Sequence, residues 1–226
     1  MNQRNFSLEP TVGGVLGYGW QVMKRYFLPL LVVALILSLV EIPLSVAREG
    51  HEMTLGMYFL KIFALAYLLF VRVPIRFGAD YVFLLATRNQ TFEVNEMFRG
   101  FSNYMNVVLA GLLSGALIGI GIFLFVVPGI ILACRFAFVP YLVMDKNLDP
   151  VKAVEESWRL TKGYGWRIFG LGLLSILIII AGLAVMFVGV LISMMWVHAA
   201  FAAMYQGVLE ERGEYQEITN NSNNQD

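Results

Sequence analysis

Residues 168–209 are 42 consecutive positions without an Asp, Glu, Lys or Arg, and this run constrains the chain more than any other feature. A membrane-crossing helix needs about 20 apolar residues, so the run is too long for one span and long enough for two. The same reading along the whole sequence predicts six apolar helices, at 26–47, 55–85, 104–127, 129–144, 166–188 and 189–209. The second is long and is expected to continue past the bilayer, because Arg76, Asp80 and Arg88 fall along its later half; the fourth is short. Gly182 and Gly189 are the candidate turn residues between the last two. With 58% hydrophobic and 14% charged residues, a chain of 226 residues is too apolar for an ordinary soluble domain. The fold class is therefore an all-α integral membrane protein. One membrane domain covers 1–209, and the polar residues 210–226 read as a disordered tail.

The first run, "YFLPLLVVALILSLVEIPLSVA", follows Lys24 and Arg25 and ends in Ser45-x-Ala47, which raises the question of a cleaved signal peptide. The polar segment before it is unusually long for that, and the run itself can cross a bilayer, so it is read as an uncleaved first span. Lysine and arginine then gather in alternate connections. Arg4, Lys24 and Arg25 precede the first span. Arg88 and Arg99 follow the second; Lys146, Lys152, Arg159, Lys162 and Arg167 follow the fourth; Arg212 follows the sixth. The other connections hold Arg48 alone. By the positive-inside rule both termini are cytoplasmic, in a cytoplasmic (inner) membrane of bacterial type.

The tetrapeptide "GYGW" occurs at 17–20 and again at 163–166, each time before an apolar run and after "LEP" or "LDP". A weaker copy, "FEVNEMFRGFSNY", lies at 92–104. The chain thus reads as three sequential hairpins, at about 8–88, 91–145 and 148–209, each introduced by a short cytoplasmic interfacial segment. In the last copy Asp149 is placed to cap a helix starting at Pro150. Val151, Val154, Trp158 and Thr161 share one face of it at helical spacing, as expected of a helix lying on lipid. The glycines then permit a corner from membrane plane to membrane normal. Trp20, Tyr104, Trp158 and Trp166 are the candidate interfacial anchors.

The stretch "VVPGIILACRFAFVPYLVMDKNLDPVKAVEESWRLTKGYGWRIFGL" resembles the YciC-like bacterial multi-pass proteins and the membrane domain attached to some glycerophosphodiester phosphodiesterases. The matching features are Pro128-Gly129 opening a short span, Pro140 within it, Asp145 ending it, and Ser157-Trp158 with Thr161 leading into the next. The resemblance implies a helical membrane bundle; most such proteins lack an assigned activity. The phosphodiesterase, where present, is a separate soluble unit, and the 17 residues after Leu209 are expected to be too few to hold it.

Charged groups inside apolar helices need a partner or a route to water, since one at a helix centre costs about 2.5–3.5 kcal/mol on insertion scales. Glu41 and Lys61 fall at similar depth on adjacent antiparallel spans, and Arg135 is expected near mid-membrane, so Glu41, Lys61 and Arg135 form a candidate intramembrane cluster. Arg72, Arg76 and Asp80 recur every four residues as a stripe near the cytoplasmic end of the second span; Arg76 pairs naturally with Asp80, leaving Arg72 to snorkel. His198 in the sixth span is expected to bond to a neighbouring helix or, with less weight, to bind a ligand or relay a proton. His51 is isolated. Gly111, Gly115 and Gly119, and Ala199, Ala203 and Gly207, are small-residue ridges suited to close helix packing.

The lone Cys134 permits no intrachain disulfide, no cluster suits a metal, and the sixteen acidic and sixteen basic side chains cancel, so neither cofactor nor nucleic acid is expected. The glycines of "GIGIFL" lie in a membrane helix and are no dinucleotide fingerprint; no Walker loop or nucleophile elbow is present. The reading is a non-enzymatic accessory, scaffolding or lipid-interacting membrane protein. Its expected partners are membrane lipids and a membrane protein docked on the basic cytoplasmic face. The alternative is a small-molecule or lipid transporter using the charged cluster, helped by Pro43, Pro74 and Pro140 in or beside spans.

Overall fold

The computed structural model describes residues 8–49 and 55–214, and every regular element among them is helical. In chain order these are α1 (Val12–Arg25), α2 (Phe27–Glu49), α3 (Leu55–Tyr67), a π-helical turn (Leu68–Arg72), α4 (Val73–Thr87), a 3-10 segment (Val94–Phe101), α5 (Tyr104–Leu124), α6 (Val126–Arg135), α7 (Val139–Asp145), α8 (Pro150–Thr161), α9 (Gly165–Ala184) and α10 (Met186–Glu211). Five stretches are long and apolar enough to cross a membrane: Tyr58–Thr87, Tyr104–Leu124, Val126–Asp145, Gly165–Ala184 and Val188–Glu211. The pair Val12–Arg25 and Phe27–Pro43, bent by 100°, makes a sixth if taken as one unit. The chain is thus helical and multi-pass in character, as its composition requires. Arg4, His51 and residues 215–226 lie outside the described residues.

Two of the long stretches are interrupted where proline forbids a regular helix. Pro74 has no amide proton, and its ring would press on the carbonyl four residues earlier, that of Phe70. The chain widens there into the π turn, and the Phe70 carbonyl accepts the Tyr104 hydroxyl at 3.1 Å, so Tyr104 ties α5 to the break. The second interruption corrects the short fourth span. α6 ends at Arg135, three residues intervene, and Pro140 sits in the first turn of α7. Ser157 of α8 splices this gap: its hydroxyl donates to the Arg135 carbonyl at 2.7 Å and accepts the Phe138 amide at 3.3 Å, while the Thr161 hydroxyl also reaches Arg135 O at 3.3 Å. Orphan backbone groups at a helix end need such partners.

The boundary between the last two long helices falls at Val185, not at a glycine. Gly182 and Gly189 instead face each other across the hairpin. A Cβ on Gly182 would come within 2.6 Å of the Gly189 carbonyl, so both stay bare to let α9 and α10 touch. The two GYGW copies also part ways. The second is a corner, with Gly163 at φ +94° between α8 and α9. The first lies wholly inside α1, because Gly19 is needed for contact rather than turning: its Cβ would sit 2.8 Å from the Ala200 amide nitrogen of α10. The corner of that copy comes later, at Tyr26.

Along the small-residue ridge of α10, Gly19 of α1 meets Ala199 and Ala200, and Leu8 and Pro10, ahead of α1, meet Gly207. On α5, only Gly111 of its ridge makes a close approach, to Val73; Gly115 and Gly119 face open space. α8 buries Ala153, Ser157, Leu160 and Thr161, so the expected face is split: Thr161 packs inward on the helix break, Val154 is partly buried against the core, Trp158 lies against Phe136 and Arg135, and Val151 is exposed. Asp149 is the N-cap residue, but its carboxylate pairs with Lys152 at 3.2 Å and makes no capping bond. Residues 210–214 are not a loose tail, since α10 continues to Glu211 and Glu214 forms ion pairs.

Candidate functional site

α4 and α10 run side by side in the same direction. Asp80 meets His198 and Arg88 meets Gln206, and in each pair the partner lies 118 positions on. The two polar layers are therefore about 12 Å apart along the helices, at 1.5 Å per residue.

In the deeper layer, His198 Nδ1 and Asp80 Oδ1 are 2.8 Å apart, and the imidazole stacks on Phe83 at 5.2 Å. This replaces the expected Arg76–Asp80 pair: Asp80 is on the buried side of α4, whereas Arg76 is exposed. The expectation that His198 bonds to a neighbouring helix is met by that carboxylate.

The second layer closes one end of the bundle. Arg88, the C-cap of α4, grips Asp145 at the end of α7 through both terminal nitrogens, with Nη2 to Oδ2 at 2.7 Å, and both side chains are 5% exposed. Arg88 Nε donates to Gln206 Oε1 at 2.8 Å, Gln206 Nε2 to Glu210 Oε1 at 2.8 Å, and Glu210 Oε2 accepts the Leu8 amide at 3.1 Å. The Tyr205 hydroxyl donates to Asp145 at 3.1 Å from a ring stacked on Tyr141. One connected network thus joins the ends of α4, α7 and α10 to the segment before α1. From the sequence alone Arg88 reads as a connection charge and Asp145 as the end of a span. The available signal was positional, since each of these three apolar runs ends directly in a charged residue: Arg88, Asp145 and Glu210.

Glu41, Lys61 and Arg135 are not brought together. Glu41 pairs with Arg72, Nε to Oε1 at 2.7 Å, which also removes Arg72 from a snorkelling role. Lys61 is exposed on α3. Arg135 ends α6 beside the helix break, with its guanidinium 5.2 Å from the Trp158 ring centre, and its Nη1 is enclosed without a hydrogen-bond partner. It lines an apolar groove of about 550 Å³ between α6 and the start of α9, with Ile131, Cys134, Trp166 and Phe169.

Trp166 is 85% exposed, the most open of the four anchors. Trp20 is half-buried edge-on against Trp196, whose indole donates to the Leu16 carbonyl at 2.8 Å. A surface network links α8 to the chain beyond α10: Arg159 holds Glu156 and Glu214, and Lys146 reaches both carboxylates. Hydrogen bonding from Arg159 holds the pKa of Glu156 below the usual glutamate range. No family model, curated protein or solved structure matches this chain.

Proposed function

We propose that this chain is a non-enzymatic multi-pass protein of the cytoplasmic membrane, an accessory or scaffolding component that engages lipid, with six spans in three sequential hairpins and both termini cytoplasmic. The observation that carries the reading is the fate of the charges in the apolar helices. Glu41, Arg72, Asp80, His198, Arg88 and Asp145 satisfy one another, so their binding capacity goes into holding helices together. The apolar belt supports the membrane setting: Phe59, Ile62 and Phe63 on α3, Phe123 on α5 and Trp166 on α9 are all more than half exposed. The bundle implied by the YciC-like resemblance is of this kind.

The basic surface left for a partner is smaller than the sequence suggests, because Arg159 is engaged by Glu156 and Glu214. Lys152 and Lys162 remain exposed. Replacing Lys152→Glu and Lys162→Glu together is expected to abolish copurification of a membrane-protein partner while leaving insertion and melting temperature unchanged. Unaltered copurification refutes the basic-face reading. The transporter alternative draws on a different observation, the helix discontinuities at Leu68–Arg72 and between Arg135 and Val139, since broken helices line solute sites in many carriers.

A further inference from the structure

Resting on the lipid-interacting part of that reading, we propose that the groove between α6 and α9 is a site for a single anionic glycerophospholipid, its phosphate on Arg135 and an acyl chain along the apolar wall. Three observations carry this. The groove is lined by the Arg135 side chain together with apolar side chains such as Val127, Ile131 and Phe169, so it matches a molecule with a charged head and an apolar tail. Its length along α6, from Val127 to Cys134, is about 10 Å at 1.5 Å per residue, and its volume of about 550 Å³ lies inside the roughly 300–1,000 Å³ range of ligand clefts.

Arg135 is also built to meet an anion. No described carboxylate pairs with it, its Nη1 is enclosed without an acceptor so that a phosphate would meet the part of the side chain lining the groove, and its position is set from two sides. Ser157 and Thr161 fix its carbonyl, and Trp158 supports its guanidinium face. A cation held in place beside an apolar trough, without a counter-charge, selects a ligand that brings one. The exposed Trp166 on the opposite wall suits the boundary between headgroups and hydrocarbon, where such a phosphate sits.

The test is native mass spectrometry of the full-length protein released from mixed phosphatidylglycerol and phosphatidylcholine micelles. The wild type is expected to retain phosphatidylglycerol in preference, and Arg135→Gln to lower that retention about tenfold, the loss of one charge-assisted hydrogen bond. Phosphatidylcholine, whose choline already neutralises its phosphate, is expected to lose less retention than phosphatidylglycerol. Ile131→Trp, which fills the apolar wall and keeps the charge, is expected to lower retention of both lipids, and it remains decisive if Arg135→Gln does not fold. Wild-type retention of phosphatidylglycerol in folded Arg135→Gln, or in Ile131→Trp, overturns the proposal. Displacement of the lipid by millimolar inorganic phosphate also overturns it, by showing a free-anion site. Because the readout is bound lipid, failure here leaves the copurification result at Lys152 and Lys162 to stand by itself.

Discussion

Asp145 has Arg88 on one side and Tyr205 on the other, so replacing it takes the counter-charge from a guanidinium that is 5% exposed. Removing one member of such a pair costs about 3–5 kcal/mol, whereas exchanging both for apolar groups of similar volume is near neutral. Asp145→Asn is therefore expected to lower the unfolding midpoint in detergent steeply, and the double change Arg88→Met with Asp145→Leu to recover most of it. A double variant no more stable than Asp145→Asn would mean that the pair is not the dominant contact. The surface ion pairs carry a weaker, pH-dependent share. Glu156 has a depressed pKa in the folded state, so its stabilisation is present above the ordinary glutamate range and fades as the pH falls through and below it. At this scale the sequence revealed which groups were costly but not who met whom. The depth comparison that paired Glu41 with Lys61 took spans as straight and neighbours as the only candidates, whereas Asp80 found its partner 118 residues away.

Among the elements, GYGW offers the sharpest test, because one motif has two structural meanings. In the first copy Gly17 faces open space and Gly19 touches the α10 backbone. Gly17→Ala is expected to be neutral or stabilising by up to ~1 kcal/mol through helix propensity. Gly19→Ala is expected to cost about 1–3 kcal/mol by forcing α1 off α10. Equal melting temperatures for the two variants would remove the close-contact account. The helices themselves were legible from apolar run length, and α8 from Pro150 and its charge pattern. The break between α6 and α7 was not, since Pro140 alone does not distinguish a kink from a gap. What makes it a gap is Ser157, a residue from another helix that supplies both missing hydrogen bonds.

For the whole molecule, the basic connections predict both termini and residue 90 on one side, and α4 and α10 run in the same direction. Reporter fusions at residues 90 and 215 are accordingly expected on one face of the membrane, and opposite faces would break the three-hairpin arrangement. Composition announced the membrane setting because a bilayer tolerates few unpaired charges. It could not show that the ends of α4, α7 and α10 converge, because that depends on packing across the hairpins. The convergence bears on biogenesis. Leu8, Asp80 and Arg88 all take partners from positions 198–210. During synthesis Arg88 can already meet Asp145, but Asp80 and the Leu8 amide wait for the final helix, so a ribosome stalled ahead of residue 198 would hold a chain with a buried carboxylate still lacking its partner.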